Sequence, residues 1–244
     1  MMLDLNPAVL ASAPLNEELN ALIEAAEPPS PNERQYLGAS QIGSECLRRI
    51  QFDWWVDPVF PSRVRDIFSR GHSFEELSRR HLIRVGFRFA SEQEMPLGFT
   101  AAKGLFRGHV DGVLLDGPKL PGLIYPAVWE HKCVKAQSWR NIERHGLLKD
   151  FEYYARQVAI YQAYLDLTNP ALFTALNADT CQRLSFLVPF DARLAQSSSD
   201  RAVAVIEATR AGELLPRVTS DSDDWRCKIC SHRVRCWVTH AGPA

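Results

Sequence analysis

The run Pro126–Lys135, PAVWEHKCVK, constrains the fold more than any other stretch of the chain. It continues an apolar segment, GLIYPAVW, that reads as a buried strand, and then places Glu130 and Lys132 two residues apart. Strand side chains alternate with a period of two, so this acid and this base share one face. Upstream, two further strand candidates lie at about 87–95 and 105–115, and the third spans about 123–131. The turn signals of DGPKLPG separate the second from the third, which makes a hairpin or meander. Helical patterns then cover 137–146 and 150–167, the latter strongly amphipathic with Asp150 as its predicted N-cap. ALFTALNA and RLSFLVPF read as two more strands, and DARLAQSSSDRAVAVIEATRAG as a further helix. Strands, helices, strands and a helix in that order predict an α/β core with a mixed central sheet flanked by helices.

Before the meander, apolar residues Ile67, Phe68, Phe74, Leu77 and Leu82 recur at helical spacing over 64–85. Gly71 interrupts that pattern, and a close packing contact is the expected reason. SQIGSECLRRIQFDWW reads as a cap and a short helix carrying Cys46. Residues 1–35 form an appendage, with a short helix in NEELNALIEAAE and a break at PPSPNE. The rest, 36–240, is expected to be a single domain that includes a cysteine cluster at 225–237. With 244 residues, 46% of them hydrophobic, the chain can bury a sizeable core.

The formal net charge of −1 does not mark a polyanion binder, but 22 of the 28 basic residues are arginine, the better bidentate phosphate donor. Arg48, Arg49, Arg63, Arg65, Arg70, Arg79, Arg80, Arg84 and Arg88 lie close together in sequence. Two readings stay open for them, a solvated helix face and a basic groove on a neutral protein. No apolar run is long enough to span a membrane, and the N-terminus has an acid near its start and no basic region of a secretory signal. A cytoplasmic, intracellular protein is expected, and its six cysteines then point to metal or free thiols.

Asp111, in FRGHVDGVLLDG, also sits within strand-like sequence. If its strand pairs with that of Glu130, the two carboxylates converge, and they repel unless a cation lies between them. Mg²⁺ suits such a pair, because it takes one or two carboxylates and keeps several waters. Lys132 on the same face could orient or deprotonate a water, or neutralise charge on a phosphate oxygen. Asp111, Glu130, Lys132 and a metal together fit phosphodiester hydrolysis. His109 and His131 alternate with their acids and are predicted to face the other way.

GHVDG followed by WEHK resembles the PD-(D/E)XK nuclease superfamily, with Asp111, Glu130 and Lys132 in the positions of its second and third motifs. RGHSFEE is similar to the helical first motif, where Gly71 is followed four residues later by Glu75. ARQVAIYQAY is similar to the Q-x-x-x-Y motif of the RecB-like branch, matching Gln157 and Tyr161. The resemblance implies a restriction-endonuclease-like core and a catalytic set of Asp111, Glu130, Lys132, Gln157 and Tyr161. It implies Mg²⁺ or Mn²⁺ on Glu75, Asp111, Glu130 and the backbone carbonyl of His131. Many iron–sulfur members carry His where this chain has Glu75.

The tail reads DDWRCKICSHRVRCW, and Cys227-x2-Cys230-x5-Cys236 is a metal spacing that wants a fourth ligand. Cys46 is the best candidate, with Cys133 and Cys181 expected as small buried or free thiols. Zinc and an iron–sulfur cluster fit the spacing equally. The pattern of one distant Cys and a C-terminal C-x2-C-x5-C is similar to iron–sulfur RecB-like nucleases, a group that includes AddB-type, CRISPR-adaptation and phage enzymes. That resemblance implies a [4Fe–4S] cluster stapling the N- and C-terminal segments around the core. It implies a DNA exonuclease acting on linear single- or double-stranded ends in recombination, repair, phage replication or CRISPR adaptation, with recombination or replication proteins as possible partners. The rivals are a structure- or sequence-specific endonuclease on the same fold, and a non-catalytic zinc-stapled nucleic-acid-binding module.

Overall fold

The structure is a computed structural model that describes residues 13–26, 35–55 and 62–239. The strands form two sheets. The larger has the order β2 (Arg88–Phe89), β5 (Gly112–Asp116), β6 (Ala127–Val134), β7 (Ala171–Asn177) and β8 (Arg183–Val188). The smaller has the order β1 (Leu37–Gly38), β4 (Phe106–His109) and β3 (Gly98–Ala101). In the larger sheet β6 and β7 are parallel and the other neighbours antiparallel, so it is mixed. A parallel pair needs a crossover, and the helices α4 (Ala136–Asp150) and α5 (Glu152–Tyr164) supply it. The remaining helices are α1 (Ala13–Ala26), α2 (Leu47–Trp55), α3 (Ser62–Arg84), α6 (Ala192–Arg210) and the short α7 (Trp225–Lys228). Asp191 caps α6 by accepting a hydrogen bond from the Leu194 N–H at 2.9 Å. Among the described residues no helix is long and apolar enough to cross a membrane.

α5 was expected to be amphipathic, yet it is buried on nearly every side, from Ala155 through Gln157, Val158, Ala159, Ile160, Tyr161 and Gln162. The reason is enclosure: the main core joins Val158, Ile160 and Tyr161 to Val113, Val128 and Phe173 of the larger sheet, and the same cluster includes Val205 and Ile206 of α6. The smaller sheet closes a further side through Gly108, where an added Cβ would meet Tyr161 at 2.7 Å. Trp129 and Leu114 point to the other face, into a second cluster with Phe87 and Leu172.

Several sequence-predicted boundaries move. The strand expected over 87–95 is only Arg88–Phe89, because the Glu94 carboxylate accepts from the Ser91 N–H at 3.0 Å and pulls the chain into a turn. The strand expected over 105–115 breaks at Val110–Asp111 into β4 and β5, which belong to different sheets. The strand expected over 123–131 starts at Ala127 and runs to Val134, so Glu130 and Lys132 lie inside it rather than at its end. The helix expected over 137–146 does break at Gly146, whose φ of 68° and ψ of −164° are not helical, and a short helical stretch follows it to Asp150. Phe151, not Asp150, is the N-cap of α5; the Asp150 carboxylate instead contacts His145 Nδ1 at 2.6 Å. Gly71 makes no close packing contact, since an added Cβ would meet nothing within 4 Å. The break expected at PPSPNE lies outside the described residues.

Candidate active site

The ladder between β5 and β6 places the acids. Its last pair is Gly112 with Trp129, so the next step brings Asp111 beside Glu130. Asp111 Oδ2 accepts the His131 backbone N–H at 2.7 Å. The side chain thus continues the ladder where the β5 backbone turns away, which fixes the carboxylate against β6. Glu130 is fully buried. One of its oxygens, Oε1, accepts from Lys132 Nζ; the other, Oε2, is buried with no hydrogen-bond partner. Such an orphaned carboxylate oxygen is costly unless something positive meets it.

Burial pushes the Glu130 carboxyl up to about 8, and the nearby Asp111 charge adds to the rise against the pull of Lys132. Glu75, on α3, is raised in the same direction, first by burial and then by Asp111. Burial opposes the charge on Lys132, but Glu130 and Asp111 outweigh it and hold the ammonium protonated well above its ordinary range. Three carboxyl groups and one ammonium therefore share one environment. Opposite-charge neighbours within a few ångströms are what reverses such shifts.

The crossover helix closes the site. Gln157 Nε2 donates to the Tyr161 hydroxyl at 3.2 Å, and both side chains are buried on α5, whose i and i+4 positions share a face. Burial and the Glu130 charge hold the Tyr161 phenol protonated. Lys132 Nζ also lies 5.4 Å from the ring centroid of Tyr154, a cation–π contact. The His131 side chain turns to the opposite face, where it is buried. His109 is exposed on β4.

The sequence-predicted residues thus gather unequally. Asp111, Glu130 and Lys132 meet, Gln157 and Tyr161 flank them, and Glu75 stands half-buried on α3 where it feels the Asp111 charge. Among the described residues no group of three histidine, cysteine, aspartate or glutamate side chains is arranged to hold one ion. Asp111 and Glu130 form the pair, and the buried Oε2 oxygen is the feature that fits a divalent cation.

Cys46, Cys227, Cys230 and Cys236 line one cavity of about 620 Å³. All four are half-buried and none is in a disulfide. Burial raises the Cys230 thiol, and Cys46 contributes to that rise. Polar ties hold the tail to the N-terminal segment: Arg226 bridges Glu45 and Asp224 at 2.8 Å each, and His232 Nε2 meets Asp53 Oδ1 at 2.7 Å. Arg217 donates to Cys236 Sγ at 3.3 Å and stacks 4.2 Å from the Trp237 centroid. Cys133 is half-buried on β6 and Cys181 exposed.

Sequence reasoning missed Ser78 and Thr174, which contact the His131 ring from α3 and β7. Thr174 left one signal, a lone hydroxyl inside the apolar run ALFTAL. Ser78 left none.

No protein-family model matches the chain, and no curated protein matches its sequence. Solved structures do match. The alkaline exonuclease LHK-Exo from Laribacter hongkongensis superposes with a TM-score of 0.53 at 14% identity, over 73% of this chain and 89% of that one. The same enzyme in complex with dAMP gives 0.51 at 16% identity, over the same shares, 73% and 89%. The protein SSO0001 gives 0.50 at 14% identity, over 92% of this chain and 96% of that one. The chain shares the fold of these structures, a mixed sheet flanked by helices.

Proposed function

We propose that the chain is a metal-dependent DNA exonuclease that hydrolyses phosphodiester bonds at linear DNA ends. The observation that carries the reading is the buried, unpartnered Oε2 of Glu130 beside Asp111, on a fold shared with an alkaline exonuclease. Asp111, Glu130 and the His131 carbonyl would hold Mg²⁺ or Mn²⁺, with Glu75 in reach from α3. When bound, such an ion supplies Lewis-acid chemistry at the phosphodiester and makes water a nucleophile near neutral pH.

The chain's own residues do the rest. Lys132, held as an ammonium, is a poor base and serves as a fixed positive charge for the phosphate oxygens as negative charge builds on them. Gln157 and Tyr161 order the buried side of the site. Arg63, Arg70, Arg80 and Arg84 are exposed on α3, the helix that carries Glu75, and offer donors to a DNA backbone.

The four cysteines would hold a [4Fe–4S] cluster that staples the chain ends. A zinc ion at the same four thiols is the alternative, and metal analysis of the purified protein separates the two. Processing of DNA ends in recombination, repair, phage replication or CRISPR adaptation suits this chemistry, in the cytoplasm.

The test is cleavage of end-labelled linear DNA and of covalently closed circular DNA by protein purified without oxygen, with Mg²⁺, Mn²⁺ or chelator, beside Lys132→Ala. Metal-dependent loss of the linear substrate alone, absent in the variant, is the expected result. Cutting of the circle indicates the endonuclease reading. DNA binding without any cleavage, at every metal tried, contradicts an enzyme.

A further inference from the structure

α3 carries Glu75 to the site, yet none of its 23 residues is buried. Leu82, toward its far end, packs against the second cluster, and nearer Glu75 a polar tie joins the helix to β6. Its donor or acceptor is Ser78, whose hydroxyl lies 3.3 Å from His131 Nε2. The other ring nitrogen, Nδ1, lies 2.8 Å from Thr174 Oγ1. Thr174 sits opposite His131 in the β6–β7 ladder, and its oxygen accepts the Trp129 Nε1–H at 2.9 Å. The weaker contacts of Arg79 over the Phe89 ring at 5.0 Å and of Arg183 with His81 at 3.5 Å accompany the tie.

The Thr174 oxygen accepts the Trp129 N–H and keeps one hydrogen and a second lone pair. Its hydrogen goes either to His131 Nδ1, with the ring proton on Nε2 toward Ser78, or to the Glu130 carbonyl 3.5 Å away, with the ring proton on Nδ1. In both arrangements the two ring nitrogens are engaged and the ring has one orientation.

We propose that Trp129, Thr174, His131 and Ser78 form a positioning relay that docks α3 on β6 and sets the place of Glu75 relative to Asp111 and Glu130. The inference rests on the metal-dependent reading above. Ser78 lies one helical turn beyond Glu75 on the same face, so a tether at Ser78 fixes both the height and the rotation of the acid. His131 also belongs to the metal edge through its backbone: its N–H holds Asp111. One residue therefore pins the helix with its ring and the first acid with its amide. None of the four side chains touches substrate; each acts through Glu75 and Asp111.

The test is calorimetric titration of Mn²⁺ into the full chain, with the melting temperature of the metal-free protein measured in parallel. The variants are Ser78→Ala, Thr174→Val, Thr174→Ser and, as a site control, Asp111→Asn. Loss of a group that orients metal ligands typically weakens binding by roughly 10-fold or more. That loss is expected for Ser78→Ala and Thr174→Val, with restoration in Thr174→Ser, which keeps the hydroxyl. Melting of metal-free Ser78→Ala should stay close to wild type. Wild-type Mn²⁺ affinity in both Ser78→Ala and Thr174→Val overturns the relay while leaving the metal reading intact. So does a Thr174→Ser variant no better than Thr174→Val. Absence of any Asp111-dependent Mn²⁺ binding in the wild type overturns the metal reading, and the relay with it.

Discussion

The acid edge of β6 and the cysteine-lined cavity of the tail are assembled in opposite ways. At the edge, backbone pairing does the placing. Asp111 takes up the next rung of the β5–β6 ladder, and Glu130 and Lys132 follow from strand alternation. Glu130 is fully buried, and Asp111 and Lys132 are partly buried beside it. In the tail, no strand or long helix holds the thiols. Cys227 sits on a four-residue helix, Cys230 just after it and Cys236 on a five-residue π-helix, Arg235–Thr239, tied to α2 and its flank by charged contacts such as Glu45–Arg226. Surface ion pairs of this kind contribute little each, so the tail has few firm ties of its own, whereas the edge depends on the sheet. Were a metal held at each site, as proposed, its removal should disturb charge balance at the edge and folding at the tail.

The largest effect should come from removing the charge at the edge. Lys132→Ala and Glu130→Gln are each expected to lower cleavage by roughly 10²–10⁴-fold, measured as single-turnover rates on linear DNA, with melting temperatures near wild type. A comparable fall in melting would break the contrast.

Next in size is the tail. Cys236→Ser or Cys46→Ser should lose the bound metal and lower the melting temperature by roughly 5–10 °C, since metal binding there is folding free energy. Metal content and thermal unfolding check this together. Retained cluster in Cys46→Ser removes Cys46 from the ligand set.

A smaller effect follows from the raised Glu130 carboxyl. Its folded value near 8 lies above the unfolded 4.5, so its contribution to stability is full below about pH 4.5 and is lost as pH rises toward 8. In the metal-free protein, Glu130→Gln should therefore gain on wild type between those limits, with no gain at pH 4.5. Mn²⁺ should cancel the difference by compensating the carboxylate. Melting curves at both pH values, with and without Mn²⁺, decide it.

The smallest concerns Arg217, which donates to Cys236 Sγ and to its carbonyl. Arg217→Leu should cost about 1–2 kcal/mol and weaken retention of the tail metal under chelator, without changing Mn²⁺ binding at the edge. An equal loss at both sites would erase the contrast.

What was legible in the sequence follows the same division. Glu130 and Lys132 could be read because alternation in a strand is a local rule; Gln157 and Tyr161 came from the resemblance to the Q-x-x-x-Y motif, and helix geometry explains only that they share a face. That Asp111 would meet Glu130 followed from pairing their strands, but the way it does so could not be read. Nothing in FRGHVDGVLLDG announces that the chain changes sheets at Val110–Asp111, and it is that change that frees the Asp111 side chain to act as a rung. The all-round burial of α5 was also hidden, because its enclosure by the second sheet depends on Gly108 meeting Tyr161 across the fold. Ser78 and Thr174 are ordinary hydroxyls until β6, β7 and α3 bring them to the two nitrogens of His131. Local periodicity was readable; contacts made by tertiary juxtaposition were not.

The most direct measurement is the anomalous scattering of Mn²⁺ in crystals of the wild-type chain. The account predicts a peak between Asp111 and Glu130, within coordination distance of Glu130 Oε2 and the His131 carbonyl, and its absence in Glu130→Gln. A wild-type crystal saturated with Mn²⁺ that shows no peak there, or shows one only among the cysteines, contradicts the claim that this edge is a metal site.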